Sequence, residues 1–160
     1  MTKLSPLAKS GLLPQEEMLE VQSKQQCLFI GLPKEKAFQE NRIAIVPEAV
    51  QLLVSHGHEV VVEAGAGNHA NFSDNEYSEA GAKIVYDTKS VYQADIIMKV
   101  EPPTLEEVEL MKGGQTLVSA LQITTQSKEY IEQLLAKKIT ALAYEFIQDE
   151  GATMPLIRSM

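Results

Sequence analysis

The sequence has no tryptophan and a single cysteine, Cys27, in 160 residues. A lone thiol cannot close an internal disulfide, so the chain reads as a reduced, cytoplasmic protein held by packing alone. Cys27 heads an apolar run and is expected to be a buried bystander. Positive charge is also scarce: 14 Lys and Arg stand against 22 Asp and Glu, a formal net charge of −8. That balance argues against nucleic acid or an anionic membrane as a partner, because both demand a basic face. No apolar stretch approaches the roughly 20 residues that span a bilayer, and the N-terminus lacks the apolar centre of a signal peptide. Also missing are a G-x-S-x-G elbow, a Walker loop and a paired-cysteine motif. His56 and His58 flank Gly57 at a helix-to-strand turn and His69 lies in a glycine-rich loop. No Cys or carboxylate pattern completes a ligand set around them, so no metal is expected.

What the chain does have is an ordinary globular composition, 44% apolar and 22% charged, which suits one domain with a packed core. Residues 1–26 are polar with scattered leucines and two prolines, and read as an N-terminal extension lying on a domain or on a partner subunit. From Cys27 onward strands and helices alternate. "CLFIGL" reads as a buried strand, "PEAVQLLVSHG" as a helix with Pro47 in its first turn and Gly57 at its end, and "HEVVVEA" as a strand. A short helix opens at Ser73, whose Glu76 three residues on makes a capping box, and a helical turn opens at Asp87 after the strand "AKIVY". After the strand "ADIIMKV", Thr104 and Glu107 form a second capping box. "QTLVSAL", an amphipathic helix near 126–136 and the strand "KITALAYEF" close the series. Near-continuous apolar strands separated by helices predict an α/β fold, a mostly parallel sheet with helices on both faces.

Gly65, Gly67 and Ala70 in "EVVVEAGAGNHA" have the G-x-G-x-x-A spacing of a dinucleotide cradle. The cradle needs a helix that starts at the glycines, whereas the cap signal comes later, at Ser73. The block is therefore expected to be a tightly packed turn between a strand and a helix.

Ligands of open parallel sheets bind beyond the carboxyl ends of the strands. Arg42, in the long polar loop after the first strand, is suited to gripping a carboxylate with two parallel hydrogen bonds, or to pairing with Glu40 as an ordinary surface residue. Lys99 interrupts an apolar strand near its end. It either polarises a carbonyl from that position or snorkels to solvent. Gln122, after "LVSAL", is a neutral donor and acceptor at a strand end.

Three stretches together carry a resemblance. These are "IGLPKEKAFQENRIAIVPEAVQLLVSHGHEVVVEAGAG", "ADIIMKVEPP" and "AYEFIQDEGATMPL". From about Leu28 to Met160 the chain resembles the N-terminal part of alanine dehydrogenase and of the related transhydrogenase α chain. The resemblance implies a Rossmann-like substrate domain, with flavodoxin-like topology an open alternative, in which 27–160 is the first segment of a discontinuous domain. It implies NAD as cofactor, bound by a separate domain that these residues do not contain, alanine or pyruvate as the small-molecule substrate, and a homo-oligomer. Residue by residue, it matches Arg42 to the substrate's carboxylate and Lys99 to its carbonyl or amino end. Glu145 and Met160 match positions near the pocket. Gln122 stands where the family has its catalytic histidine, and glutamine cannot exchange a proton near neutral pH. The implied parent is an NAD-dependent alanine dehydrogenase. Two alternatives stay open, a transhydrogenase α-chain segment and a non-catalytic domain binding a 2-oxo acid.

Overall fold

A computed structural model gives the fold of the chain and describes residues 27–149, 151, 153 and 154. The proposed extension 1–26 lies outside them. Among the described residues, six strands form one parallel sheet: β1 (Phe29–Leu32), β2 (Glu59–Glu63), β3 (Lys83–Val85), β4 (Ile96–Met98), β5 (Thr116–Ser119) and β6 (Thr140–Ala143). Their order is β3-β2-β1-β4-β5-β6. The chain winds outward from β1 to β3, then crosses back to β4 and winds the other way. This is the Rossmann order and not the flavodoxin-like one. The reversal places a crevice between the carboxyl ends of β1 and β4.

The helices begin and end where the local chemistry says they should. The first, α1 (Pro47–Ser55), starts on proline, whose missing N–H costs nothing in a first turn, and is followed by Gly57 at φ +84°. In α2 (Asp74–Glu79) and α4 (Leu105–Leu110) both capping boxes form, Ser73 with Glu76 and Thr104 with Glu107. The single turn α3 (Thr88–Val91) is capped by the Asp87 carboxylate, and α5 (Lys128–Ala136) by the Ser127 hydroxyl.

The period-two alternation of the strands divides the core into two layers. Val60 and Val62 of β2 pack with Ile30, Leu32, Val50 of α1 and Tyr77 of α2 on one face. Val61 lies on the other with Ile97, Leu117, Val91 of α3, Val108 of α4, and Tyr130 and Leu134 of α5. Helices thus cover both faces, as the sequence predicts. Two details differ from expectation. Cys27 is exposed, because the sheet starts only at Phe29 and the intervening Leu28 is still outside it. The last strand ends at Ala143, and Tyr144–Phe146 turn into a single 3-10 turn.

The G-x-G-x-x-A block is a packed turn. The Gly65 N–H donates to Asp74 Oδ1 at 2.8 Å, so it is not held open for an anion. A side chain at Gly67 would meet the Phe72 carbonyl and the Tyr77 ring, both at 2.7 Å, and that close approach accounts for the glycine. These residues do not fit a pyrophosphate.

Gly31, in the middle of β1, is equally confined: a Cβ there would lie 2.6 Å from the Val91 carbonyl and 3.0 Å from Ala94 Cβ. We expect Gly31→Ala to destabilise the fold by about 1–3 kcal/mol through overpacking, read as a lower urea midpoint at unchanged slope.

Candidate functional site

Three loops meet at the carboxyl edge of the sheet, those that follow β1, β4 and β5. Arg42, on the first, is half exposed. Its Nε donates to Glu40 Oε1 at 2.9 Å and its Nη2 to Glu40 Oε2 at 2.5 Å, a two-pronged pair. A second carboxylate, Glu101 from the loop after β4, stands 3.6 Å from the same Nη2. The hydrogen bonds from Arg42 pull the Glu40 carboxyl below its usual range. In return they raise the guanidinium further above neutrality. Glu40 therefore holds the guanidinium in a two-pronged fork, the geometry in which arginine pairs with a carboxylate.

Gln122 directly follows the buried Leu121, three residues beyond the end of β5, with φ +46°, a left-handed conformation uncommon for a residue with a side chain. The strain is held from below by Glu145, whose Oε1 accepts from the backbone N–H of both Leu121, at 2.8 Å, and Gln122, at 2.9 Å. The Gln122 amide Nε2 in turn donates to Glu101 Oε2 at 3.0 Å. Arg42, Gln122 and Glu145 thus belong to one connected cluster, with Glu101 at its centre.

Lys99 is held by a pair of carboxylates of its own. Its side chain is buried, and its Nζ lies 3.2 Å from Glu107 Oε2 and 3.3 Å from Glu35 Oε2. Together these carboxylates offset the buried ammonium. Glu107 is 1% exposed; its Oε2 also caps α4 through the Thr104 N–H, and its Oε1 meets Lys36 at 3.3 Å. Burial pushes the Glu35 carboxyl up, with Lys99 acting against that shift. Glu35 Oε1 accepts from the Val100 N–H at 2.6 Å, and the Tyr144 hydroxyl donates to the Val100 carbonyl at 2.7 Å. Lys99 therefore builds the frame that fixes the backbone immediately before Glu101. Met160 lies outside the described residues. Sequence reasoning missed Glu101 and Glu35. The signal for Glu101 was its place directly after a strand end, next to the conspicuous Lys99.

The comparisons with known proteins agree with this topology. The model of the family described as "Alanine dehydrogenase/PNT, N-terminal domain" matches residues 31–160. The chain belongs to that family. It is 41% identical over 133 residues to alanine dehydrogenase of Bacillus subtilis (strain 168), covering 83% of this chain and 35% of that protein. Among solved structures it superposes on an L-alanine dehydrogenase with a TM-score of 0.76 at 37% identity, covering 80% of this chain and 35% of the other. It also superposes on a transhydrogenase from Sinorhizobium meliloti with a TM-score of 0.68 at 31% identity, covering 74% of this chain and 35% of the other. The chain spans about a third of the length of the curated relatives it matches. No helix among the described residues is long and apolar enough to cross a membrane.

The division between frame and site is testable by stability. Lys99→Met, which strands two buried carboxylates, is expected to cost about 3–5 kcal/mol in chemical unfolding. Arg42→Met, at a half-exposed position, is expected to change it by less than about 1 kcal/mol.

Proposed function

We propose that the chain is the N-terminal segment of the substrate domain of an NAD-dependent alanine dehydrogenase. The parent reaction is L-alanine, NAD and water to pyruvate, ammonia and NADH. The observation that carries this reading is the Arg42 fork at the β1/β4 crevice, in a chain of this family. On this reading the substrate carboxylate takes the place of Glu40 on the guanidinium, which keeps its orientation because the loop presents it at a topological switch point. Gln122 orients the reacting end of the substrate by hydrogen bonding, and Glu145 holds Gln122 in its strained conformation. Lys99 acts on the substrate only indirectly, through the backbone it fixes. Met160 is proposed to lie near the same pocket, as the resemblance implies.

The Gly65–Ala70 turn does not fit a pyrophosphate, since the Gly65 N–H is taken by Asp74 and Gly67 packs on Phe72 and Tyr77. We therefore place NAD on a separate domain of the parent protein, with 27–160 forming one wall of the cleft. The parent is proposed to be cytoplasmic and homo-oligomeric. Hydride transfer requires both reactants within a few ångström in a fixed geometry, which one wall does not provide.

Two observations favour other readings. The likeness to the transhydrogenase structure supports a transhydrogenase α-chain segment, which would share the fold without amino-acid chemistry. Gln122 supports a non-catalytic domain that binds a 2-oxo acid, since its amide does not act as an acid or base near neutral pH.

We expect the isolated 160 residues to show no NADH formation from L-alanine and NAD, while the full-length protein turns over. Introducing Gln122→His in the full-length protein should raise kcat about a hundredfold if proton transfer limits it. Rapid turnover by the unmodified protein would eliminate the binding-only reading, and no turnover in either form would eliminate the dehydrogenase reading.

A further inference from the structure

Glu101 is the least committed charged group of the site. Its side chain is a quarter exposed, its Oε2 is held by the Gln122 amide at 3.0 Å, and its Oε1 stands 3.6 Å from the Arg42 guanidinium. Glu40, by contrast, grips the same guanidinium at 2.5 Å with a second prong at 2.9 Å. The longer contact is the one that opens at lower cost, which leaves Glu101 able to turn to a ligand's ammonium while the ligand's carboxylate takes the place of Glu40. Among the described residues, three carboxylates, Glu40, Glu101 and Glu145, contact Arg42 or Gln122, against one guanidinium. Lys99 does not redress that balance, since Glu35 and Glu107 already offset it. A ligand that is only an anion brings one more negative charge to this edge. A zwitterion adds no net charge, and its ammonium offers three N–H donors to a carboxylate that accepts from the neutral Gln122 amide at 3.0 Å and stands 3.6 Å from the Arg42 guanidinium.

We propose that Glu101 reads the substrate's ammonium, so that the carboxyl edge binds a zwitterionic α-amino acid, carboxylate on Arg42 and ammonium on Glu101, in preference to the corresponding 2-oxo acid. The proposal rests on the reading of Arg42 as the carboxylate grip. Geometry supports the role beyond charge alone. Both backbone groups of Val100 are fixed, the N–H by Glu35 and the carbonyl by the Tyr144 hydroxyl and the Ala120 N–H. The Cα of Glu101 is therefore held in place, and its carboxylate is presented on the same side as Arg42 and Gln122 by the two contacts it makes. The selectivity this gives is electrostatic and acts on binding. It favours the amino acid over its oxidised counterpart without any proton transfer by Glu101.

The test is titration of the isotope-labelled 160-residue chain with L-alanine and with pyruvate, followed by amide chemical shifts. Wild type should bind L-alanine about tenfold more tightly than pyruvate, with shifts at 42, 101 and 122. Glu101→Gln should weaken L-alanine about tenfold and leave pyruvate unchanged or tighter. Glu101→Asp, which keeps the charge, should retain the preference for L-alanine. Equal affinity for the two ligands, or an unchanged L-alanine affinity in Glu101→Gln while Arg42→Gln abolishes binding of both, would overturn the role of Glu101 and leave the carboxylate grip standing. Absence of binding by either ligand to wild type would overturn the grip itself, and this proposal with it.

Discussion

A buried ammonium sets the geometry of the carboxyl edge. Lys99 lies in the interior between Glu35, from the loop after β1, and Glu107, from the first turn of α4. A charge in that position is tolerated only when it is paired and hydrogen-bonded, so the three segments that carry these residues cannot separate without exposing an unpaired ion to the core. Glu35 spends its other oxygen on the Val100 N–H, and Glu107 spends part of its own on the Thr104 N–H. The loop between β4 and α4 is thereby held at both ends. What is conserved in space by this arrangement is the position of Glu101.

The groups that face solvent at this edge are held differently from the frame beneath them. Arg42 is itself half exposed but is oriented by a Glu40 side chain that is only 7% exposed, and Gln122 is held in a left-handed conformation by the partly buried Glu145. Both groups are therefore oriented before a ligand arrives, which lowers the cost of ordering them on binding. The Rossmann winding supplies the rest, since the strand order reverses between β1 and β4 and the connections leave that part of the edge in opposite directions, opening a crevice.

Much of the scaffold was legible in the sequence because local chemistry decides it. Ser73 with Glu76, Thr104 with Glu107, and Pro47 with Gly57 mark helix ends through contacts a few residues apart, and the structure forms all of them. The packed turn at Gly65 and Gly67 was also readable, from the late start of the following helix. Two features were not readable in this way. The strand order depends on which non-adjacent strands pair, and an apolar run does not state its neighbour. The role of Lys99 depends on partners that are distant in the chain. Its burial could be expected from the apolar run around it, but the identity of its counter-ions could not. Glu107 had a sufficient local explanation as a cap, which concealed its second role. Cys27 misled for the opposite reason, since an apolar run extends two residues beyond the sheet that it seeds.

The central claim is that buried carboxylates hold the site's backbone rigid, and native-state amide hydrogen exchange on the 160-residue chain addresses it most directly. The N–H of Val100, bonded to Glu35, and the N–H of Gln122, bonded to Glu145, lie outside the strands but should exchange as slowly as the amides of β4 and β5. Glu35→Gln should accelerate Val100 and leave Gln122 protected. Exchange of both amides at the rate of an open loop in the wild-type chain would contradict the account.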